Sequence, residues 1–294
     1  MAATSELLTL EADGLEVGLV PAIGGSVSFF RWRGIDLMRP LAADRQDVLG
    51  VAMFPMLPYA NRIAGNSFRF EGDDYAVQPN NLPERFNVHG SGWQRPWTVE
   101  RLTSTQVALG LDVAAGPEPY AYRARQVFSL DPGGLTVTMT LTNVGDKTLP
   151  FGFGLHPWFE RTDDVTLQFN ARRFYLEEPE GLSGDPVTLP PELDFSAARS
   201  LPTGWRNNDY GGWDGVATVC YPGRGAGLRI TADPVFRHLM VYADPTKPYF
   251  CVEPQSNASG AFNRGLWQDA EEGVITLAPG ASATGSISFA PFAL

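Results

Sequence analysis

The stretch LTVTMTLT, residues 135–142, alternates an apolar residue with a threonine at every step. Successive side chains of a β-strand point to opposite faces, so this pattern predicts a strand with one buried face and one solvated face. Threonine is β-branched and favours extended backbone, which strengthens the prediction. The turn DPGG, residues 131–134, directly precedes the stretch and is typical of a hairpin.

The same alternation recurs along the chain, for example in residues 15–19 and 107–113. Turn-forming residues separate the alternating runs, as at residues 12–14 and 222–225. The sequence contains no linker, no repeat of fixed period and no amphipathic pattern of three helical turns. We therefore predict one domain over residues 1–294, all-β, built as a large antiparallel β-sandwich.

The composition of the chain argues against nucleic acid and membranes as binding partners. The chain has 294 residues, 44% of them hydrophobic, and a formal net charge of -11, so no basic face for nucleic acid is expected. The apolar run of residues 48–60 is too short to cross a membrane, and the N-terminal residues do not resemble a signal peptide. Two cysteines, Cys220 and Cys251, do not make a disulfide framework. We expect a cytoplasmic protein with free thiols and no nucleic-acid or membrane partner.

Three polar side chains stand out because they lie in segments that do not alternate. His89 lies in NVHGSGW (residues 87–93), and His156 lies in FGLHPWF (residues 153–159), among aromatic residues that would tune its pKa. Glu253 ends the apolar run YFCVE, where an ionised carboxylate is costly unless it has a partner or a function. In an all-β protein such irregular segments commonly carry the chemistry.

Other candidates have an equally good structural explanation. Arg62 offers a fork of donors suited to vicinal hydroxyls, or to a structural ion pair. Asp214 precedes a glycine and suits an ordinary turn, and His238 reads as structural. Five tryptophans share the irregular segments and suit either sugar C–H faces or core packing: Trp93, Trp97, Trp158, Trp205 and Trp213.

Five short motifs, taken in order, resemble the aldose 1-epimerase family. They are Asn61-Arg62-Ile63-Ala64, Asn87-Val88-His89-Gly90, His156-Pro157-Trp158-Phe159, Trp213-Asp214-Gly215 and Cys251-Val252-Glu253-Pro254-Gln255. The resemblance implies a galactose mutarotase-like β-supersandwich. It also implies that Glu253 is the catalytic base, that His156 is the catalytic acid, and that Asn61, Arg62, His89 and Asp214 bind the sugar.

The chain departs from the family pattern at three places, where Leu155, Ser91 and Gly215 replace the more usual Asn, Gly and His. The last change leaves Asp209 as an alternative to Asp214.

The resemblance implies interconversion of the α and β anomers of a free aldohexose. Glu253 would take the anomeric proton while His156 protonates the ring oxygen, with no metal or cofactor. This role needs a protonated His156, so we expect nearby negative charge to raise its pKa. The expected partner is a small-molecule sugar.

Four alternatives remain open from the sequence. A hexose-6-phosphate 1-epimerase would hold a phosphate through Arg85 or Arg95. A glycosidase would use two carboxylates, Glu253 and Asp214. A non-catalytic sugar-binding protein would need only the tryptophan-rich loops. A metal site would use His89, His156 and Glu253, although the close spacing typical of such sites is missing.

Overall fold

A computed structural model of the chain describes residues 6–43, 45 and 47–294. Strands dominate it: β1 (Leu8–Ala12), β2 (Leu15–Val20), β3 (Ser26–Trp32), β4 (Ile35–Asp36), β5 (Met53–Met56), β6 (Arg62–Ile63), β7 (Ser67–Phe70), β8 (Asp73–Ala76), β9 (Asn87–Val88), β10 (Thr98–Leu102), β11 (Gln106–Val113), β12 (Tyr122–Asp131), β13 (Gly134–Asn143), β14 (Leu149–Phe151), β15 (Gly154–Glu160), β16 (Thr166–Phe169), β17 (Arg173–Glu178), β18 (Leu182–Val187), β19 (Arg199–Ser200), β20 (Arg206–Gly211), β21 (Val216–Tyr221), β22 (Ala226–Ala232), β23 (His238–Ala243), β24 (Tyr249–Gln255), β25 (Ile275–Leu277) and β26 (Ser282–Ala293).

Helical structure is short. The α-helix α1 spans Ala261–Arg264, and six 3₁₀ turns occupy Val48–Gly50, Ala64–Asn66, Gly92–Gln94, Pro179–Gly181, Pro191–Leu193 and Pro222–Arg224. Across the described residues, none of the helices is long and apolar enough to span a bilayer.

Two large antiparallel sheets account for most of the strands. The first has eleven strands in the order β1-β2-β3-β5-β15-β24-β23-β20-β17-β18, with β4 paired to β3. The second has nine, in the order β10-β11-β12-β13-β26-β22-β21-β16-β19. One continuous core takes side chains from both, for example Phe30 and Val241 of the first and Val137 and Phe289 of the second. The predicted all-β antiparallel sandwich is confirmed.

The alternating stretch of residues 135–142 lies in β13 and behaves as its pattern predicts. Its apolar side chains are buried in the core, and its threonines face away from it. Each threonine meets a hydroxyl of β26 across the pair, with oxygen–oxygen distances of 2.9, 3.0, 3.0 and 2.7 Å from Thr136 to Thr142. Such cross-strand pairs add to the stability of an antiparallel ladder.

Strand β26 lies in the interior of the second sheet. It pairs with β13 on one side and β22 on the other, although residues 134–143 and 226–232 are far from it in sequence. The two halves of this sheet therefore meet only through β26.

Candidate active site

The site is built on the face of the first sheet that points away from the core. In β15, Leu155 and Phe159 enter the core, while His156 and Trp158 project from the opposite face. In β24, Val252 enters the core and Glu253 projects with His156. The two-residue period of the strands therefore decides which side chains reach the site.

A row of cross-strand neighbours forms the floor of the site. Phe54 of β5 is paired with His156, and Met240 of β23 is paired with Glu253. Strands β15 and β24 are neighbours, and their register, in which Gly154 is paired with Gln255 and Trp158 with Cys251, brings His156 opposite Glu253. Directly opposed residues of an antiparallel pair share a face, so all four side chains line the same cavity.

His156 and Glu253 form a buried pair. The Nε2 atom of His156 lies 3.2 Å from Oε1 of Glu253, and the two residues are only 8% and 2% exposed. The imidazole is held between two rings, with centroid distances of 4.4 Å to Phe54 and 4.7 Å to Trp158. This packing fixes the plane of the imidazole and limits the access of water to the pair.

Burial shifts both pKa values of this pair toward the neutral forms. It lowers the pKa of His156 to about 3, assisted by the positive charges of Arg39 and Arg62. It raises the pKa of Glu253 well above its usual range, against the opposing charge of Arg62. The expectation that nearby negative charge would raise the pKa of His156 is therefore wrong, because desolvation dominates and the neighbouring charges that act on the imidazole are those of two arginines. At pH values between the lowered pKa of His156 and the raised pKa of Glu253, the pair holds one proton. Because the two groups are in contact, the titration of this proton is a property of the pair and not of either residue alone.

A shared proton has a measurable consequence for pH dependence. If Glu253 and His156 had the ordinary pKa values of a carboxylate and a histidine, kcat/KM would be about threefold higher at about pH 5 than at about pH 7. With the shifted values, the one-proton state persists as pH falls until it nears the lowered His156 pKa, and as pH rises until it nears the raised Glu253 pKa. For the anomer interconversion that the sequence resemblance implies, we therefore expect kcat/KM to be equal within about twofold at these two pH values. A threefold decline from about pH 5 to about pH 7 would contradict the shared proton.

His89 faces the same cavity as a neutral hydrogen-bond donor. Its Nδ1 accepts the backbone N–H of Asn61 at 3.0 Å, which places its proton on Nε2. Burial lowers the pKa of His89 well below its usual value, and the nearby His156 and Arg62 act in the same direction. Asn61 is buried and also lines the cavity, directly before β6, whose pairing with β9 brings the two motifs together.

Arg62 lines the cavity but is already engaged in an ion pair. Its Nε and Nη2 donate to Oε2 of Glu84 at 3.2 and 3.1 Å, and its Nη1 donates to the carbonyl of Gly181 at 3.4 Å. From the sequence, ligand binding and a structural ion pair were alternative roles for Arg62. In the structure it lines the cavity and also forms an ion pair with Glu84.

His89, His156 and Glu253 offer three ligand atoms within 4.8 Å of one another. A histidine that binds a metal usually donates its other ring N–H to an acceptor, which leaves the ligating nitrogen without a proton. His89 is bonded in the opposite sense, because its Nδ1 accepts from Asn61. Its proton therefore occupies the nitrogen that a metal would need, and the donor set does not fit a metal ion.

Asp214 is not part of this arrangement. It lies in an exposed turn, where Oδ1 accepts the N–H of Val216 at 3.0 Å and Oδ2 accepts from Nδ2 of Asn170 at 2.9 Å. It lines two smaller cavities and not the one with Glu253. The local Asp-Gly turn explains this position.

Asp209, the alternative to Asp214, lies next to the site but is fully buried and does not line the cavity. It is paired with Met240 and so extends the row that contains Glu253. Its Oδ2 accepts the N–H of Ser259 at 2.7 Å, and Nδ1 of His238 lies 3.2 Å from its carboxylate. Nε2 of His238 donates to the carbonyl of Glu271 at 2.8 Å. Both ring nitrogens thus face acceptors, so His238 is an imidazolium paired with a fully buried Asp209.

Apart from its tryptophans and Arg85, the remaining cavity wall was not identified from the sequence as part of a site. The cavity has a volume of about 540 Å³, and Glu177, Asn207 and Tyr242 line it together with Trp93, Trp158 and Trp205. Trp97 and Trp213 lie elsewhere in the core. Asn207 and Tyr242 are cross-strand partners in β20 and β23. Only the pairing of strands distant in sequence brings them here, and no local motif marks them.

Comparison with known proteins adds to this geometry. The model of the aldose 1-epimerase family matches residues 6–290. This chain belongs to the aldose 1-epimerase family. The resemblance found in the sequence motifs is confirmed.

Relatives of this aldose 1-epimerase family member cover almost its full length. It is 35% identical to the uncharacterized protein YphB of Escherichia coli K12 over 279 residues, 90% of this chain and 92% of the relative. A crystal structure from E. coli K12, provisionally named as an aldose 1-epimerase, superposes with a TM-score of 0.91 at 31% identity, over 98% and 99% of the two chains. A GalM/aldose epimerase homologue from C. elegans shares the fold with a TM-score of 0.82 at 17% identity, over 99% of this chain and 100% of its own.

Proposed function

We propose that this member of the aldose 1-epimerase family is a mutarotase that interconverts the α and β anomers of a free aldohexose. The observation that carries the proposal is the buried His156–Glu253 pair at 3.2 Å, which faces a cavity lined by polar side chains and tryptophans. Anomer interconversion moves protons at two oxygens, the anomeric hydroxyl and the ring oxygen. Both are bonded to the same carbon, so the reaction needs an acid and a base side by side.

The proton shared by the pair suits a reversible reaction. Glu253 takes the proton of the anomeric hydroxyl while His156 delivers one to the ring oxygen, and the ring opens to the aldehyde. C1 then rotates about the C1–C2 bond, and closure on the other face returns both protons. A hydroxyl that donates to Glu253 stabilises its anion, and the 3.2 Å contact lets the resting proton pass to His156.

The surrounding groups are suited to hold the sugar still. The Nε2–H of His89 and the guanidinium of Arg62 provide donors for sugar oxygens, and Asn61 fixes the tautomer of His89. Aromatic rings on the floor and wall pack against C–H faces. Such positioning lowers the barrier by holding C1 and the ring oxygen against the pair.

The charge of the wall favours a free sugar over a phosphorylated one. Both arginines that line the cavity in the described chain are paired, Arg62 with Glu84 and Arg85 with Glu180. Glu177 adds another carboxylate to the wall, so a phosphate would meet excess negative charge. Arg95, the other candidate for a phosphate, is not among the lining residues. A glycosidase that uses Glu253 with Asp214 lacks support, because Asp214 lines other cavities.

Polarimetry tests this proposal directly. We expect the protein to accelerate the mutarotation of freshly dissolved α-D-glucose or α-D-galactose above the spontaneous rate. For glucose 6-phosphate we expect kcat/KM to be lower by about tenfold or more, from like-charge repulsion. A preference for the phosphorylated sugar would support the phosphate epimerase instead. Binding without acceleration of any of the three would support a sugar-binding protein.

A further inference from the structure

Arg39 lies next to the catalytic cavity without lining it. It is half-buried, and its guanidinium carbon lies 4.5 Å from the ring centroid of Trp158 and 4.8 Å from that of Tyr249. These two rings meet edge to face, at a centroid distance of 5.1 Å and an interplanar angle of 88°. The arginine therefore makes two cation–π contacts at once, although it lies outside every motif that marked the candidate site.

Hydrogen bonds fix Arg39 in this position. Its Nη2 donates to the carbonyl of Leu49 at 2.7 Å and to that of Val51 at 3.0 Å. The backbone N–H of Arg39 donates to the carbonyl of Trp158 at 2.8 Å. Arg39 thus joins residues 49–51 to β15, and its planar guanidinium is suited to hold a flat indole in one orientation.

Trp158 connects Arg39 to the catalytic pair. Its indole lines the cavity and is 9% exposed, and its ring centroid lies 4.7 Å from that of His156, at an interplanar angle of 32°. The Nδ1 atom of His156 is buried and has no hydrogen-bond partner on another residue of the described chain. Apart from the contact with Glu253, the protein therefore orients this imidazole by ring packing, which Phe54 and Trp158 provide.

We propose that Arg39 is a positioning residue for the reaction, which holds the Trp158 indole in place so that the indole keeps His156 directed at Glu253. Arg39 itself does not touch the sugar. Its charge also assists the chemistry. Burial lowers the pKa of His156, and the positive charge of Arg39 adds to this effect, so the protonated imidazole is a stronger acid toward the ring oxygen. This inference rests on the proposed mutarotase function.

Arg39→Gln tests this role, because glutamine has neither the charge nor the guanidinium plane of arginine. We expect kcat for α-D-glucose mutarotation, followed by polarimetry, to fall about tenfold. KM should stay within about twofold, since the groups that hold the sugar are unaltered. Arg33→Gln is the matched control, because Arg33 packs on Trp32 at 4.7 Å in an exposed turn away from the cavity, and kcat should not change. Circular dichroism checks the folding of both variants.

Proton NMR of the histidines gives a readout without turnover, since the chain has only three of them. In the wild type, the ring currents of Trp158 and Phe54 should displace the Cε1–H resonance of His156 from its ordinary position. In Arg39→Gln this resonance should move back toward that position or broaden. The resonance of His238, which is buried away from the cavity, should stay unchanged and serves as the internal reference.

Arg39→Lys keeps the charge but not the guanidinium plane, so it should show the same change in the His156 resonance with a smaller loss of kcat. It replaces Arg39→Gln if that variant does not fold. An unchanged kcat in Arg39→Gln, or a lower kcat with an unchanged His156 resonance, would overturn the positioning role alone. No acceleration of mutarotation by the wild type would overturn the mutarotase function, and the positioning role with it.

Discussion

Replacing Glu253 with glutamine should lower kcat for glucose or galactose mutarotation by about 10²–10⁴-fold. Glutamine keeps the shape of the side chain but can neither take the anomeric proton nor share one with His156, from which Glu253 lies 3.2 Å away. Sugar binding should persist, because His89 and Arg62 are unchanged. Polarimetry gives kcat, and ligand-observed NMR gives the binding.

The stability of the same variant separates a catalytic role from a structural one. Burial raises the pKa of Glu253, so an ionised carboxylate costs stability as pH rises through the folded-state pKa. A neutral amide removes this cost, and Tm at alkaline pH should equal or exceed that of the wild type. Glu100→Gln, which changes a carboxylate in an exposed ion pair with Arg125, serves as the matched control and should keep full activity. Near-normal turnover by Glu253→Gln would remove Glu253 from its proposed role.

Replacing Asp209 with asparagine should destabilise the protein by about 3–5 kcal/mol, because it leaves the buried His238 imidazolium without its counter-ion. In a chain of this size the loss corresponds to a fall in Tm on the order of 10 °C. Burial alone would lower the pKa of His238, but the charge and hydrogen bond of Asp209 raise it above the ordinary value. The stabilisation is therefore complete below about pH 6.5 and is lost as pH rises through the folded-state pKa.

Thermal unfolding at several pH values measures this effect. The difference in Tm between wild type and Asp209→Asn should be largest in mildly acidic buffer and should shrink at alkaline pH. Asp214→Asn is the matched control, since Asp214 lies in an exposed turn only five positions away. A similar small change in both variants would show that the Asp209–His238 pair contributes little to stability.

The sequence predicts most of the fold because the fold depends on a local period. Alternation in residues 135–142 predicts both the buried and the solvated face of β13. The neighbours of a strand depend instead on pairing between distant segments, which no window of sequence contains. The pairing of Asn207 with Tyr242 is an example, and it decides which side chains form the cavity wall.

The sequence motifs predicted the candidate site correctly for those residues that the fold places around one cavity. His89, His156, Glu253, Arg62 and Asn61 all line one cavity. Asp214 does not, because its Asp-Gly turn follows a local preference that a motif cannot distinguish from a functional position. The pKa of His156 was expected in the wrong direction, because desolvation depends on the rings of Phe54 and Trp158 that enclose the imidazole.

The interior position of β26 bears on how the protein is made in the cell. A ribosome adds residues from the N-terminus, so β13 and β22 are synthesised before residues 282–293. Until then the second sheet consists of two separate halves, each with an unpaired edge that could associate with another nascent chain. This sheet can therefore close only after residues 282–293 have been synthesised. Chaperone binding to the growing chain would protect these two edges in the meantime.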